Sequence, residues 1–271
     1  MNSMKYITKT NMTALLILCA FSSAQASQLS PMVSPSKKVS LVNVLPSKVF
    51  APTGFDDNDK VQVVLYGQYP NTCYKAGPVE HTIDPQNPNK IIITPKAYVV
   101  KSGWCLPVLV QYTQVVNLEI LDKGNYELNV KGQASEAPLQ GSLTIAEAYE
   151  ETSPDNNPHP SDDYFYAPVT EVSINTDGSI KEQPISFTIR GIFPYDCMKL
   201  KEVKIIRKNP QILEVLPIMQ NVPQGTVCSA QIKPFEETIK LDENLTGTAL
   251  IHVRALNGNS LNRVIEINPA N

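Results

Sequence analysis

The chain has 271 residues, 42% of them hydrophobic and 18% charged, with 22 prolines and a formal net charge of -3. This mild acidity, with no basic tract or stripe, argues against nucleic acid and anionic membranes as partners. Past the N-terminus no apolar run reaches the ~20 residues that a spanning helix needs, so no membrane span is expected after the first segment.

Residues 1–26 read as a secretory signal peptide. Lys5 and Lys9 form a positive n-region, Ala14 to Phe21 an apolar core, and Ala24-Gln25-Ala26 a small-residue cleavage site. Leu18 precedes Cys19, where a lipoprotein signal would carry a small residue, so a soluble product cleaved after Ala26 is expected. Cleavage removes Cys19 and leaves four cysteines in an exported protein, periplasmic or secreted.

Residues 27–45 are polar and read as an N-terminal tail or an edge strand, with Val39 to Val44 the candidate for the strand. Short β-type runs follow at the spacing of a sandwich or barrel. Over residues 46–148 they are Lys48–Phe50, Val61–Tyr66, Ile91–Thr94, Leu106–Gln111, Val115–Leu121, Tyr126–Lys131 and Leu143–Ile145. Residues 149–166 carry Pro154, Pro158, Pro160 and several aspartates, and suit a semi-extended linker. Over residues 167–271 the runs are Val169–Ile174, Ile185–Arg190, Val203–Arg207, Ile212–Ile218, Val227–Ile232, Thr238–Leu241, Ala249–Arg254 and Val264–Ile267. Runs such as Ile185-Ser186-Phe187-Thr188-Ile189 alternate with period two, which buries one face and wets the other.

The two halves are copies. Gly67-Gln68-Tyr69-Pro70-Asn71-Thr72-Cys73 recurs as Gly191-Ile192-Phe193-Pro194-Tyr195-Asp196-Cys197. A second cysteine follows each (Cys105, Cys228), and from there the register is gapless through Tyr112 and Phe235, Leu118 and Leu241, Gly124 and Gly247. A repeated unit should carry its bond internally, so of the three possible pairings the duplication selects Cys73–Cys105 and Cys197–Cys228. Disulfides imply an oxidising compartment. The repeated residues are read as structural, Gly67 and Gly191 as close-packed strand ends and Tyr112 and Phe235 as core.

Seven or so short strands, a disulfide and no helical periodicity resemble an immunoglobulin-like sandwich in each half. The resemblance is one of fold and implies two tandem all-β domains. The only tryptophan, Trp104, abuts Cys105 and does not sit well inside the cysteine interval, unlike the pattern in antibody domains.

No chemistry stands out. There is no Gly-x-Ser-x-Gly elbow, the paired cysteines leave no thiolate nucleophile, and His81, His159 and His252 lack ligand spacing. No catalytic residue, metal site or cofactor is expected. His252 alternates with Ile251 and Val253, which places it on the surface. The cluster Tyr164-Phe165-Tyr166 has two readings, an exposed anchor for a protein or glycan or packing at the domain boundary, and the second is preferred. The run Lys90 to Thr94 would accept an added strand if it lay at a sheet edge. The expected role is that of an exported, non-catalytic binding or structural protein that presents two stapled domains to a protein or glycan partner. The alternatives are a carbohydrate-active or other secreted hydrolase, and a periplasmic pilus-type chaperone.

Overall fold

The computed structural model describes residues 38–101, 103–148, 164–174, 185–220, 222–223, 225–241 and 247–267. They belong to one compact unit. The signal segment, the first part of the expected tail and most of the expected linker, His159 included, lie outside the described residues.

Strands of the first half are β1 (Val39–Asn43), β2 (Lys48–Phe50), β3 (Phe55–Asp56), β4 (Val61–Tyr69), β5 (Tyr74–Asp84), β6 (Asn87–Val100), β7 (Val110–Glu119), β8 (Gly124–Val130) and β9 (Leu139–Ala146). Those of the second are β10 (Val169–Ile174), β11 (Ile185–Phe193), β12 (Leu200–Asn209), β13 (Ile212–Met219), β14 (Lys233–Leu241), β15 (Gly247–Ala255) and β16 (Asn259–Ile267). The chain is all-β: two tandem immunoglobulin-like sandwiches related by internal duplication, each with one disulfide. The copies share one topology. In each, a three-stranded sheet (β2-β4-β7; β10-β11-β14) faces a sheet with the shared order β5-β6-β8-β9 or β12-β13-β15-β16, to which the first copy adds β1 beside β6 and β3 beside β9. The β6–β8 and β13–β15 pairs are parallel, which departs from the strand order of antibody domains.

Alternation explains the cores. In β4, Val61, Val63 and Leu65 point into the first sandwich and meet Ile91, Ile93, Leu128, Val130 and Ile145 from the facing sheet. In β11, Ile185, Phe187 and Ile189 do the same against Leu213, Val215, Ile251 and Val253. Both cysteine pairs form as the duplication implies, Cys73 with Cys105 and Cys197 with Cys228.

The repeated glycines admit a ring. Gly67 lies opposite Tyr112 across the β4–β7 pair, and Gly191 opposite Phe235 across β11–β14. A Cβ on Gly67 would stand 2.7 Å from the Tyr112 hydroxyl oxygen, and one on Gly191 would stand 2.4 Å from the Phe235 ring and 2.3 Å from the Pro168 carbonyl oxygen. Each ring then stacks on the aromatic two residues past the glycine, Tyr112 on Tyr69 at 4.1 Å and Phe235 on Phe193 at 4.6 Å. Gly-x-aromatic together with a distant aromatic is therefore one packing unit, written twice.

Some expectations fail for local reasons. Leu106–Gln111 and Val227–Ile232 are mostly not strand: apart from Val110 and Gln111, which open β7, these residues run as loop beside each disulfide, with Leu106, Val108, Leu109, Val227 and Ile232 exposed. Strand β5 carries no clear signal because Gly77-Pro78 interrupts it, and the pairing with β6 shifts register between Ala76 and Val79. Lys90 to Thr94 lies inside β6, held by β5 on one side and β8 on the other, so it offers no free edge.

The sandwiches are joined face to face. Val64, Tyr66 and Phe50, on the outer face of the first three-stranded sheet, pack against Ile212, Leu250 and Val264 on the outer face of the second four-stranded sheet. Each such burial contributes roughly 1.5–3 kcal/mol, more than the ~1 kcal/mol of an ordinary hydrogen bond at the rim. Apolar contact dominates this junction.

Candidate binding site

Polar side chains complete the junction between the sandwiches. Glu214 on β13 accepts hydrogen bonds from the Thr53 backbone N–H and hydroxyl. Arg254 on β15 donates to the carbonyls of Thr53 and Gly54, pairs with Asp59 at 3.3 Å and lies 4.8 Å over the Phe55 ring. Tyr66 donates to Glu266, and Ser260 to Gln62. Asp56 caps the turn that follows it by accepting from the Asn58 N–H. Burial pushes the Glu214 carboxyl above its usual range, against the pull of Thr53 and Arg254.

His252 is fully buried, which corrects the surface placement expected from alternation. The alternating pattern is real, but the outer face of β15 is covered by the first sandwich, with Phe55 edge-on to the imidazole. Nδ1 faces the Asn262 side-chain oxygen at 2.7 Å. Burial lowers its pKa to about 4, and Arg254 acts in the same direction. These ionisable groups are engaged in holding two sandwiches together.

The tyrosine–phenylalanine cluster is divided. Tyr166 bridges to Ile218, and the neighbouring bonds run from the Met219 N–H to the Phe165 carbonyl and from the Ala167 N–H to the Pro217 carbonyl. The end of the expected linker thus joins the sheet of the second sandwich, where β1 joins that of the first: the Val44 N–H donates to the Pro95 carbonyl as that of Ala167 does to Pro217. Tyr164 packs edge-on to Tyr166 and accepts a hydrogen bond from Lys204, whose ammonium lies 4.5 Å over its ring. Phe165 alone presents its ring to solvent, 66% exposed.

The most exposed apolar residues lie elsewhere, on the stapled loops. Trp104 and Val227, each immediately before the second cysteine of its pair, are 102% and 96% exposed. Leu106, Val108 and Leu109 extend the first patch, and Ile232 lies further along the second loop. Both loops are fixed by the same devices. Beside the disulfide, the Thr72 N–H donates to the Leu106 carbonyl at 3.2 Å, and the Asp196 N–H to the Ser229 carbonyl at 3.2 Å. A return bond closes each: the Leu106 N–H to the Thr72 hydroxyl at 3.0 Å, and the Ser229 N–H to the Asp196 carboxylate at 2.9 Å. An exposed tryptophan on a fixed loop is an unusual and costly arrangement for a surface with no partner. The sequence signal was the place of Trp104 beside Cys105, away from the interior position that the tryptophan of antibody domains takes.

Asp196, Cys197 and Cys228 come within 4.8 Å of one another, but both sulfurs are spent on the disulfide and the carboxylate accepts from Ser229. His81 is exposed on β5. Among the described residues no helix is long and apolar enough to cross a membrane, and two disulfides suit an oxidising compartment.

No curated protein and no solved structure matches the chain. A family model for the ORF11 beta-sandwich domain matches residues 63–140 and 187–267, a segment of each sandwich. The chain, through both of its copies, belongs to the ORF11 beta-sandwich domain family.

Proposed function

We propose that the protein is an exported, non-catalytic binding protein that holds two disulfide-stapled loops toward a protein partner, in the periplasm or outside the cell. One observation carries this reading: Trp104 and Val227 stand almost wholly in solvent on loops fixed by a disulfide and paired hydrogen bonds. Tryptophan is over-represented among residues that dominate binding energy, and a fixed loop loses little entropy on association. Support for export comes from the signal-like N-terminus and the two disulfides.

The test is mild cross-linking in the native cell envelope followed by recovery of the chain. A discrete partner should be recovered with the native chain and lost with Trp104→Ser combined with Val227→Ser, at unchanged melting temperature. A partner retained by that double variant would overturn the role given to the loops.

A further inference from the structure

We propose that a cavity at the open end of the second sandwich is an anchor pocket for an aromatic side chain of the protein partner, an inference that rests on the binding role above. The cavity measures about 380 Å³ and is lined by Phe165, Met198, Met219, Gln220 and Val222. Four of the five are apolar, and its size falls within the range of ligand pockets.

The first copy shows what fits. There Tyr74, the residue after Cys73, stacks on Tyr69 at 5.6 Å, and Tyr69 stacks on Tyr112. The second copy keeps the underlying pair, Phe193 on Phe235, but places Met198 after Cys197. The pairing of strands differs to match. In the first copy β5 and β6 stay paired from Ala76↔Ala97 out to Tyr74↔Val99. In the second the ladder runs to Leu200↔Met219, the counterpart of Ala76↔Ala97, with one further bond from the Gln220 N–H to the Lys199 carbonyl. The position that the first sandwich fills with a tyrosine ring is taken in the second by the slimmer Met198, which packs against the Phe193 and Met219 cluster and leaves a cavity beside it, walled by two methionines and an exposed phenylalanine.

The walls suit an aromatic visitor. Thioethers adapt their shape and contact ring edges favourably, and Phe165 offers a ring for offset stacking. The occupant comes from a larger partner because the rim is wet: Phe165 is 66% and Val222 37% exposed. A free small molecule would keep one side in water here, whereas a side chain projecting from a protein enters from that side. The Cys197–Cys228 loop carries both Val222 on the rim and Val227, which puts pocket and loop on one segment.

The test uses p-cresol, the tyrosine side-chain analogue, titrated into the full chain carrying 13C-methyl methionine. Saturable shifts of the Met198 and Met219 methyl resonances at millimolar p-cresol are expected, with the remaining methionines unmoved. Met198→Tyr, which restores the residue of the first copy, should weaken p-cresol binding at least tenfold and also lose the cross-linked partner. Should that variant fail to fold, Phe165→Ser on the rim should weaken binding in the same assay. No shift at either methyl, or binding unchanged in both variants, overturns the proposal. If p-cresol binds but Met198→Tyr retains the partner, the occupant is a free aromatic molecule and the side-chain assignment is wrong. Failure here leaves the loop reading standing when Trp104→Ser with Val227→Ser still loses the partner; the converse pattern removes the loops and with them the partner-bound pocket.

Discussion

The two copies use the same strands to face different surroundings. Lys90 and Glu127 are neighbours across the parallel β6–β8 pair, on the outer face of the first sandwich, and form a solvent-accessible ion pair at 3.8 Å. The equivalent neighbours across β13–β15 are Ile212 and Leu250, both buried against the other sandwich. The three-stranded sheets show the converse. Tyr66 on β4 is buried at the junction, whereas Arg190, at the same place on β11, is half-buried and pairs with Glu236 and Glu171. Contact between unlike faces of repeated units is open-ended in principle and would propagate. Here the outer faces that remain carry the charged residues Lys90, Glu127, Arg190 and Glu236, a polar outer surface of the kind capping repeats present. Duplication supplied the inner faces, and divergence of the outer faces decided which pair would join.

The largest expected effect tests whether the copies are equivalent in stapling. Removing either disulfide, by Cys73→Ala with Cys105→Ala or by Cys197→Ala with Cys228→Ala, should cost roughly 3–4 kcal/mol in denaturant unfolding. Similar losses are expected because the two bonds close loops of 32 and 31 residues. Markedly unequal losses would mean that one loop is held chiefly by other contacts.

The junction should respond to acid. His252 titrates near its ordinary 6.5 when unfolded and near 4 when folded. Between these values the unfolded chain binds more protons, so this group's contribution to stability is full above about pH 6.5 and falls by ~3 kcal/mol as pH drops toward 4. Glu214 opposes the trend, because its raised carboxyl pKa favours the folded state as pH falls. The difference between the stability–pH curves of the native chain and His252→Gln isolates the histidine, and a constant difference across that window would contradict its burial.

The glycines sharpen the comparison further. Gly191→Ala meets both a ring and the rigid Pro168 carbonyl, whereas Gly67→Ala meets the movable Tyr112 ring. Costs of about 3 and about 1 kcal/mol are expected, in that order, since overpacking costs depend on what can yield. A smaller effect comes from hydroxyls. Those of Tyr69 and Tyr112 are buried without hydrogen-bond partners among the described residues, where the second copy has Phe193 and Phe235. Tyr112→Phe should therefore be neutral or stabilise by up to ~1 kcal/mol.

Much of the fold was legible because duplication reads the same message twice. The Gly67 and Gly191 motifs, the cysteine pairing and the period-two runs all led to stapled sandwiches. The junction was not legible. Whether His252 faces solvent depends on a second sheet distant in sequence, and an alternating strand looks alike in both settings. Nor could the stapled loops be told from strands, since Leu106 to Val110 are as apolar as a buried strand and Val227 to Ile232 begin and end on β-branched residues. Burial separates them: strands hide such residues, while these loops expose them. The aromatics at Tyr164 to Tyr166 were visible in the sequence, yet the open pocket beside Phe165 emerges only when Met198 is set against Tyr74.

The most direct measurement places a photo-reactive amino acid at position 104 and, as a control, at position 144 on the exposed face of β9, in the native cell envelope. A discrete protein adduct is expected from position 104 and none from position 144. The same adducts from both positions, or none from position 104, would contradict the binding role of the loops.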